Sequence, residues 1–170
     1  MHPSLHLSEA RPMNVTVGIS EMKVSGEPAE TLITYSLGSC VGLALFDSEA
    51  GVGGLIHSML PFSKIDPEKA ERLPCMFVDT GVPALLQALF DLGAQKKNLV
   101  AKVAGGSKIM DGNGVFNIGE RNYAVLRKLL WKNNILVAGE DVGGTVPRTM
   151  RLHMETGKTI LKISGREVEI

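Results

Sequence analysis

The sequence predicts a single layered domain of the α/β (α+β) class, with a largely antiparallel mixed sheet and two main helices. Three observations support this prediction. The length of 170 residues fits one hydrophobic core. Short apolar runs bounded by turn residues fill most of the chain, whereas two stretches show helical periodicity. Glycine accounts for 19 residues, above the roughly 7% of an average protein, and indicates many tight turns.

The first half of the chain reads as a series of β-strands. Residues 1–13 precede them and are expected to be a flexible N-terminal tail, so that the domain covers residues 14–170. Residues 62–78 contain two prolines and are predicted to form an irregular surface loop. Alternating or β-branched apolar runs predict strands over residues 14–18, 21–24, 31–36, 41–46 and 52–60.

The second half of the chain combines helices with further strands. Apolar residues recur with a helical period over 79–92, where Asp79 or Thr80 is expected to cap the helix. A second apolar stripe predicts a helix over 118–132, with Asn117 as its N-cap. Strands are predicted over residues 98–103 and 135–138, and a final hairpin over 148–154 and 159–164.

The charge and hydropathy of the chain exclude several classes of protein. Lys and Arg together number 18, as do Asp and Glu, so the chain lacks the basic surplus of a sequence-independent nucleic-acid binder. No apolar stretch reaches the ~18 residues of a membrane-spanning helix, and no secretory signal is visible. We therefore expect a cytoplasmic, monomeric protein without membrane insertion, whose two cysteines are free thiols.

Neither a metal nor an organic cofactor is expected. The two cysteines and four histidines show none of the spacings of a zinc site. The glycine-rich stretches 104–107 and 140–144 lack the patterns of nucleotide-binding loops and are better explained as turns. Cys75 has no histidine near it in sequence and is interpreted as a bystander.

Cys40 and His57 form the first candidate site. If the two apolar runs around them pair as a hairpin with Asp47 opposite Ala50, then Cys40 faces His57 on the same side of the sheet. A thiol and an imidazole on directly opposite residues can form a reactive thiolate–imidazolium pair, in which the pKa of the thiol is depressed. A buried structural cysteine beside a core histidine is the alternative.

Three further residues could complete such a site. Thr34 lies on the preceding strand, where its hydroxyl could orient the histidine ring, although threonine is also simply a good strand former. Gly38 permits unusual backbone angles, and N–H groups around Ser39 and Cys40 could stabilise an oxyanion. An ordinary tight turn is the alternative for this segment.

A polar cluster begins the second predicted helix. Asn117, Arg121 and Asn122 could contact a substrate or a partner there. Capping and a solvated first turn explain the same residues without any function.

The residues together resemble a known family. The segments TYSLGSCVGLALFD and GGLIHSMLP closely resemble the chemoreceptor glutamine deamidases of bacterial and archaeal chemotaxis, the CheD family. AKVAGGSKIM, NIGERN, AGEDVGG followed by Arg148, and METGK are similar to later signatures of this family, in the same order. The resemblance covers roughly residues 14 to 165.

The resemblance implies a cysteine hydrolase that converts glutamine side chains of methyl-accepting receptors to glutamate and releases ammonia. It assigns Cys40 as the nucleophile, His57 as the general base and Thr34 as the residue that orients His57. It also implies a fold related to cysteine deamidase toxins and chemistry without a cofactor. The substrate would be the cytoplasmic helices of a chemoreceptor.

The same resemblance implies a second role. Members of the family bind the CheC-type phosphatase of the phosphorylated response regulator. The alternative to the enzyme is therefore a regulatory binding module for this phosphatase, in which catalysis is secondary or absent. An intact set of Thr34, Cys40 and His57 favours the enzyme, because an adaptor needs no activated thiol.

Overall fold

The computed structural model describes residues 11–108 and 117–170. These residues form two five-stranded sheets and three α-helices. The helices are α1 (Pro67–Arg72), α2 (Val78–Asp91) and α3 (Ile118–Lys132). The strands are β1 (Met13–Thr16), β2 (Met22–Ser25), β3 (Glu30–Leu37), β4 (Val41–Asp47), β5 (Val52–Ser58), β6 (Leu99–Gly105), β7 (Leu136–Val142), β8 (Arg148–His153), β9 (Thr159–Ile163) and β10 (Arg166–Glu169).

The strands divide between two sheets. The first sheet has the order β1-β3-β8-β9-β10, and the second sheet has the order β2-β5-β4-β6-β7. Neighbouring strands are antiparallel except for β1 with β3 and β6 with β7. Helix α3 joins β6 to β7, because parallel neighbours require a crossover connection. The α/β (α+β) class and the largely antiparallel pairing are confirmed, but the single predicted sheet is two sheets.

Alternate residues of β4 belong to two different hydrophobic cores. Leu43 lies in a core that includes Leu85 of α2 and Leu126 of α3. Its neighbour Ala44 lies in a second core with Leu152 of the first sheet. Because side chains of a strand point alternately to its two faces, the second sheet is the middle layer of three. The helices cover one of its faces and the first sheet covers the other.

The predicted elements are present, with shifted ends. The helix predicted over 118–132 coincides with α3. The prediction missed β10, whose four residues are all exposed and mostly charged, so that no apolar pattern marks it. The predicted loop 62–78 contains the short helix α1, and it buries Cys75.

Asn117 is the N-cap residue of α3, as predicted, whereas the caps predicted for α2 are wrong. Asn117 has a φ of +43° and makes no side-chain hydrogen bond to the start of α3. Helix α2 begins at Val78, so Asp79 lies inside its first turn. The Asp79 carboxylate accepts hydrogen bonds from the N–H and the hydroxyl of Ser63 instead, and thereby fastens the preceding segment to the helix.

The predicted register of the β4–β5 hairpin is also wrong. Asp47 pairs with Val52 rather than Ala50, and Gly42 lies opposite His57. The turn is longer than the prediction assumed, because the Asp47 carboxylate accepts from the N–H of Ala50 and Gly51 adopts a φ of +66°. The strands consequently pair two residues out of the expected register.

The ends of the described chain bear on two expectations. Residues 1–10 of the expected tail lie outside the described residues, as do residues 109–116, whereas Met13 starts β1. No helix in the described part of the chain is long and apolar enough to cross a membrane.

Candidate active site

The two sheets bring Thr34 and His57 into contact, and Cys40 lies in a connection between the same two sheets. Thr34 lies on β3 of the first sheet and His57 on β5 of the second, and both side chains are fully buried. Cys40 lies in the short connection by which the chain passes from β3 to β4, and therefore from one sheet to the other. It packs against the core between the sheets and is half-buried.

The corrected register keeps the residues within β4 and β5 on the faces that the sequence predicted. Gly42 lies opposite His57, so Cys40 is two residues away from that pairing along its own chain. Side chains alternate with a period of two, so a shift of two residues leaves each one on its original face. Cys40 precedes β4 and packs against the core between the sheets, where His57 meets Thr34. It is not the directly opposite residue that the sequence predicted.

The hydrogen bonds of Thr34 fix the tautomer of His57. The Thr34 hydroxyl lies 2.7 Å from the carbonyl oxygen of Val17 and 2.7 Å from Nδ1 of His57. A hydroxyl has one proton, and the Val17 oxygen can only accept it, so the Thr34 oxygen accepts from the Nδ1–H of His57. The remaining ring nitrogen, Nε2, therefore carries a lone pair. Among the described residues it has no hydrogen-bond partner.

The site contains neutral groups rather than an ion pair. Burial lowers the pKa of His57 from an ordinary value near 6.5 to about 4. Burial also raises the pKa of the Cys40 thiol, and its own backbone N–H offsets only part of this effect. The predicted thiolate–imidazolium pair with a depressed thiol pKa is thus contradicted. At neutral pH the resting site holds a thiol and an unprotonated imidazole.

The loop before Cys40 is held by backbone contacts. The carbonyl of Cys40 accepts from the Gly106 N–H at 2.8 Å, and the carbonyl of Gly38 accepts from the Ser107 N–H at 2.8 Å. The unusual backbone angle predicted for Gly38 belongs instead to Ser36, whose φ is +57°. The Gly38 N–H donates to the Ser36 carbonyl and is therefore no free donor for an oxyanion.

The Ser39 and Cys40 N–H groups remain as candidate oxyanion donors. Within the described ranges, neither donates a hydrogen bond to another residue. A peptide N–H beside a nucleophile is suited to bind the negative oxygen that forms when a carbonyl is attacked. The position of Ser39 and Cys40 is thus compatible with the oxyanion role that the sequence suggested.

The polar cluster at the start of α3 separates into two parts. Asn117 and Arg121 are exposed, whereas Asn122 is fully buried. The side-chain N–H₂ of Asn122 donates to the carbonyls of Ser39 and Met59, both at 2.9 Å. A direct contact of Asn122 with a macromolecular partner is contradicted by this burial, and its role is internal.

A cleft of about 340 Å³ opens beside the nucleophile loop. Ser39 forms part of its wall, and so does Asn117 at the start of α3. The exposed Arg121 is not among the residues that line it. Through Ser39, the cleft borders the peptide that joins Ser39 to Cys40.

Sequence reasoning missed the network that supports this loop from the other side. The buried Arg148 donates to the Ser107 hydroxyl at 2.9 Å and to the Gly143 carbonyl at 2.9 Å, and pairs with Asp141. The partners are far apart in sequence, so no local spacing could reveal them. The position of Arg148 within an apolar hairpin was a signal in the sequence, because a buried cation requires hydrogen-bond partners.

Cys75, interpreted as a bystander, lies apart from these contacts. It is 8% exposed, and its carbonyl accepts from the Ser58 hydroxyl. Burial raises the pKa of its thiol. The raised pKa disfavours the thiolate form that a nucleophile requires.

Comparison with known proteins places the chain among related sequences. The family model described as CheD chemotactic sensory transduction matches residues 59–163. The chain is 49% identical over 152 residues to the probable chemoreceptor glutamine deamidase CheD 1 of Syntrophus aciditrophicus, covering 89% of this chain and 95% of that protein. It is 46% identical over 156 residues to the probable chemoreceptor glutamine deamidase CheD of Solibacter usitatus, covering 92% of each chain.

Relatives extend to archaea. The probable chemoreceptor glutamine deamidase CheD of Haloarcula marismortui is 42% identical over 161 residues, covering 94% of this chain and 90% of that protein. In shape, a Neisseria meningitidis protein of the DUF152 family aligns with a TM-score of 0.44 and 10% identity, over 78% of this chain and 62% of that one, a likeness too slight for any argument. The family match and the near full-length relatives agree: this chain belongs to the CheD family of chemotactic sensory transduction proteins.

Proposed function

We propose that the protein is a cysteine hydrolase that deamidates glutamine side chains of chemoreceptors to glutamate. The observation that carries this proposal is the buried Thr34–His57 pair, which leaves an unprotonated Nε2 between the sheets, where Cys40 also packs. The relatives are named as chemoreceptor glutamine deamidases, which supports the same reaction and substrate class. Among the residues that the structure describes, none favours the adaptor alternative over the enzyme.

The first step of the reaction starts from the neutral thiol of Cys40 and the neutral imidazole of His57. As Sγ of Cys40 attacks the carboxamide carbon of glutamine, its proton passes to Nε2 of His57. The carbonyl electrons move onto oxygen, and the Cys40 N–H stabilises the resulting negative charge. The imidazolium then gives its proton to the nitrogen, the C–N bond breaks, and ammonia leaves a thioester on Cys40.

The second step restores the thiol. A water molecule loses a proton to Nε2 of His57 and attacks the thioester carbon. The C–S bond breaks, Cys40 recovers its proton from the imidazolium, and glutamate is released. Throughout, the Nδ1–H bond to Thr34 holds the ring and stabilises its transient positive charge.

The substrate approach follows from the exposure of these groups. His57 is fully buried and Cys40 is half-buried, so a glutamine side chain meets the thiol first. The cleft beside Ser39 would receive the neighbouring part of the receptor helix, with Asn117 as a candidate contact. The receptors named by the relatives imply a cytoplasmic setting for this encounter.

Deamidation itself tests the proposed function. The protein is incubated with cytoplasmic receptor fragments, and ammonia release is followed together with peptide mass. The expected result is a gain of about 1 Da at defined glutamines, in step with ammonia. If no fragment changes in mass and no ammonia is released, the hydrolase proposal fails. The adaptor alternative would then be favoured.

Thr34→Val should lower turnover while leaving the fold intact. Valine has nearly the shape of threonine but cannot accept from Nδ1–H of His57, so the ring loses its fixed orientation and tautomer. We expect kcat to fall by about 10- to 100-fold, less than for loss of the nucleophile. Steady-state ammonia release measures this effect.

Two control variants make the Thr34 test specific. Thr34→Ser retains the hydroxyl and should recover most of the activity. Thr31→Val removes the hydroxyl of a β3 threonine that bonds a different histidine, His153, and should not change kcat. Equal activity of Thr34→Val and wild type would reduce Thr34 to a strand former.

The pH dependence should reflect a neutral base. Activity requires unprotonated His57, whose pKa is lowered to about 4, so kcat/KM falls only as the pH drops through about 4. An ordinary histidine would produce this loss near pH 6.5. Measuring kcat/KM across acidic pH in a protein shown to remain folded decides between the two. A fall of kcat/KM near pH 6.5 would contradict the assignment of His57 as a buried, neutral imidazole.

A CheC-type phosphatase remains a proposed partner. The catalytic residues are mostly buried, so a partner surface would consist of the exposed residues around the cleft, among them Asn117 and Arg121. Changes at these exposed residues should weaken phosphatase binding more than changes at Cys40. Isothermal calorimetry with the purified phosphatase measures the affinity, and the absence of any binding by the wild type would refute the partnership.

A further inference from the structure

The peptide unit between Ser39 and Cys40 is held from one side only. Its carbonyl oxygen accepts from the Asn122 side chain at 2.9 Å. Its N–H, which belongs to Cys40, donates to no other residue in the described ranges. A peptide unit is planar and trans, so its C=O and N–H point in opposite directions. Whatever fixes the carbonyl therefore also aims the N–H.

We propose that Asn122 is a positioning residue that aims the Cys40 N–H at the oxyanion by holding the carbonyl of the same peptide unit. The inference rests on the proposed function, in that Cys40 must attack a carbonyl group. The hydrogen bond also polarises the peptide, which makes its N–H a better donor. Asn122 itself touches neither the substrate nor the reacting atoms.

The second bond of Asn122 explains why the side chain is so well fixed. The same N–H₂ group donates to the Met59 carbonyl, two residues after His57. Asn122 thus joins the loop that carries the nucleophile to the end of the strand that carries the base. The bond to Met59 anchors the amide, and the bond to Ser39 transmits that anchoring to the Cys40 peptide.

The burial of Asn122 argues against a role in packing alone. The side chain is fully buried, yet its Oδ1 has no hydrogen-bond partner among the described residues. A leucine of similar size would fill the same space without an unpaired oxygen. The amide is therefore explained by its two N–H donors and by the carbonyls that they hold.

The base of helix α3 adds rigidity to this arrangement. A Cβ atom on Gly119 would collide with the Ser107 carbonyl oxygen, so the first turn of the helix lies directly on the loop at 106–107. That loop in turn bonds the carbonyl of Cys40 through the Gly106 N–H. Asn122 is consequently fixed relative to Cys40 by two routes.

Two reactions of Cys40 separate this role from a general structural one. Acetylation by p-nitrophenyl acetate forms an S–C bond, passes through a tetrahedral oxyanion and expels p-nitrophenolate. Alkylation by iodoacetamide forms an S–C bond and expels iodide without any oxyanion. Both reactions require the same thiol and the same base. Their ratio therefore reports on oxyanion stabilisation alone.

The test compares this ratio between the wild type and Asn122→Leu, with labels located at Cys40 by peptide mass mapping. We expect the acylation rate to fall about 10- to 100-fold while the alkylation rate changes by less than about 3-fold. With a receptor fragment, kcat should fall and KM should stay nearly constant. Asn133→Leu is the matched control, because Asn133 also donates to a backbone carbonyl of α3, away from the site.

The other results of comparing the two reaction rates overturn the inference. An equal fall in both rates would mean that Asn122 only aligns Cys40 with His57 or supports the fold. Unchanged rates of both reactions would mean that the peptide needs no support from Asn122. If Asn122→Leu does not fold, Asn122→Ser replaces it, because the serine hydroxyl can hold one of the two carbonyls. We expect Asn122→Ser to give a ratio between those of the wild type and a protein without the bond. A ratio equal to that of the wild type would refute the proposal. A wild type that reacts with both reagents but releases no ammonia would fail the deamidase proposal alone.

Discussion

Cys40→Ser should abolish deamidation. A serine hydroxyl is a far weaker nucleophile than a thiol. We expect kcat/KM to fall by about 10³-fold or more, which corresponds to about 4 kcal/mol of lost transition-state stabilisation. Ammonia release from a receptor fragment measures the loss.

Cys75→Ser is the matched control for this variant. It exchanges the other thiol, which lies apart from Thr34 and His57, and activity should remain close to that of the wild type. Because the exchange at Cys40 is nearly isosteric, binding to a CheC-type phosphatase should persist in the inactive protein. Undiminished ammonia release by Cys40→Ser would end the cysteine-hydrolase account.

His57→Gln should produce the second large loss. Glutamine approximates the size of histidine and can bond Thr34, but it cannot accept and return a proton as Nε2 does. We expect kcat to fall by about 10²- to 10⁴-fold, the usual contribution of a general base. The alkylation rate of Cys40 near neutral pH should fall as well, since its thiol has a raised pKa and depends on this base.

His153→Gln separates this effect from loss of any histidine. His153 also bonds a β3 threonine, Thr31, but lies on β8 at the opposite end of the pairing from the active site. It should leave kcat unchanged. Loss of activity in both variants, or in neither, would contradict the assignment of His57 as the base.

Local patterns were sufficient for much of the fold. The apolar stripe around Leu126 and Leu130 predicted α3 because one face of that helix is buried in the core. The other strands were likewise visible, since each buries or half-buries part of one face. By contrast β10, with no buried residue, offered no pattern to find. Prediction succeeded where burial imposed a period on the sequence.

The geometry of the site depended on longer-range contacts. The hairpin register was wrong because the bonds that Asp47 makes within its own turn could not be foreseen from strand pairing. Because the error was two residues and side chains alternate with that period, the residues within β4 and β5 keep the faces that the sequence predicted. Spacing alone could not place Thr34 beside His57; the family resemblance suggested it, and the contact crosses between two sheets.

The charge state of the site was the least accessible feature. A cysteine near a histidine suggested an ion pair, whereas the structure buries both groups and favours their neutral forms. The role of Asn122 was also hidden, because its partner Ser39 is separated from it by 83 positions in sequence. Such properties arise from packing between layers rather than from any local motif.

A covalent intermediate on Cys40 tests the central claim most directly. The protein is mixed with a receptor fragment, quenched in acid during turnover and digested, and its peptides are weighed. We expect the peptide that contains Cys40 to carry the receptor peptide joined as a thioester, with the mass of one ammonia lost, and no such adduct on Cys75. Continued deamidation with no adduct on Cys40, under conditions where turnover leaves the intermediate populated, would contradict the account.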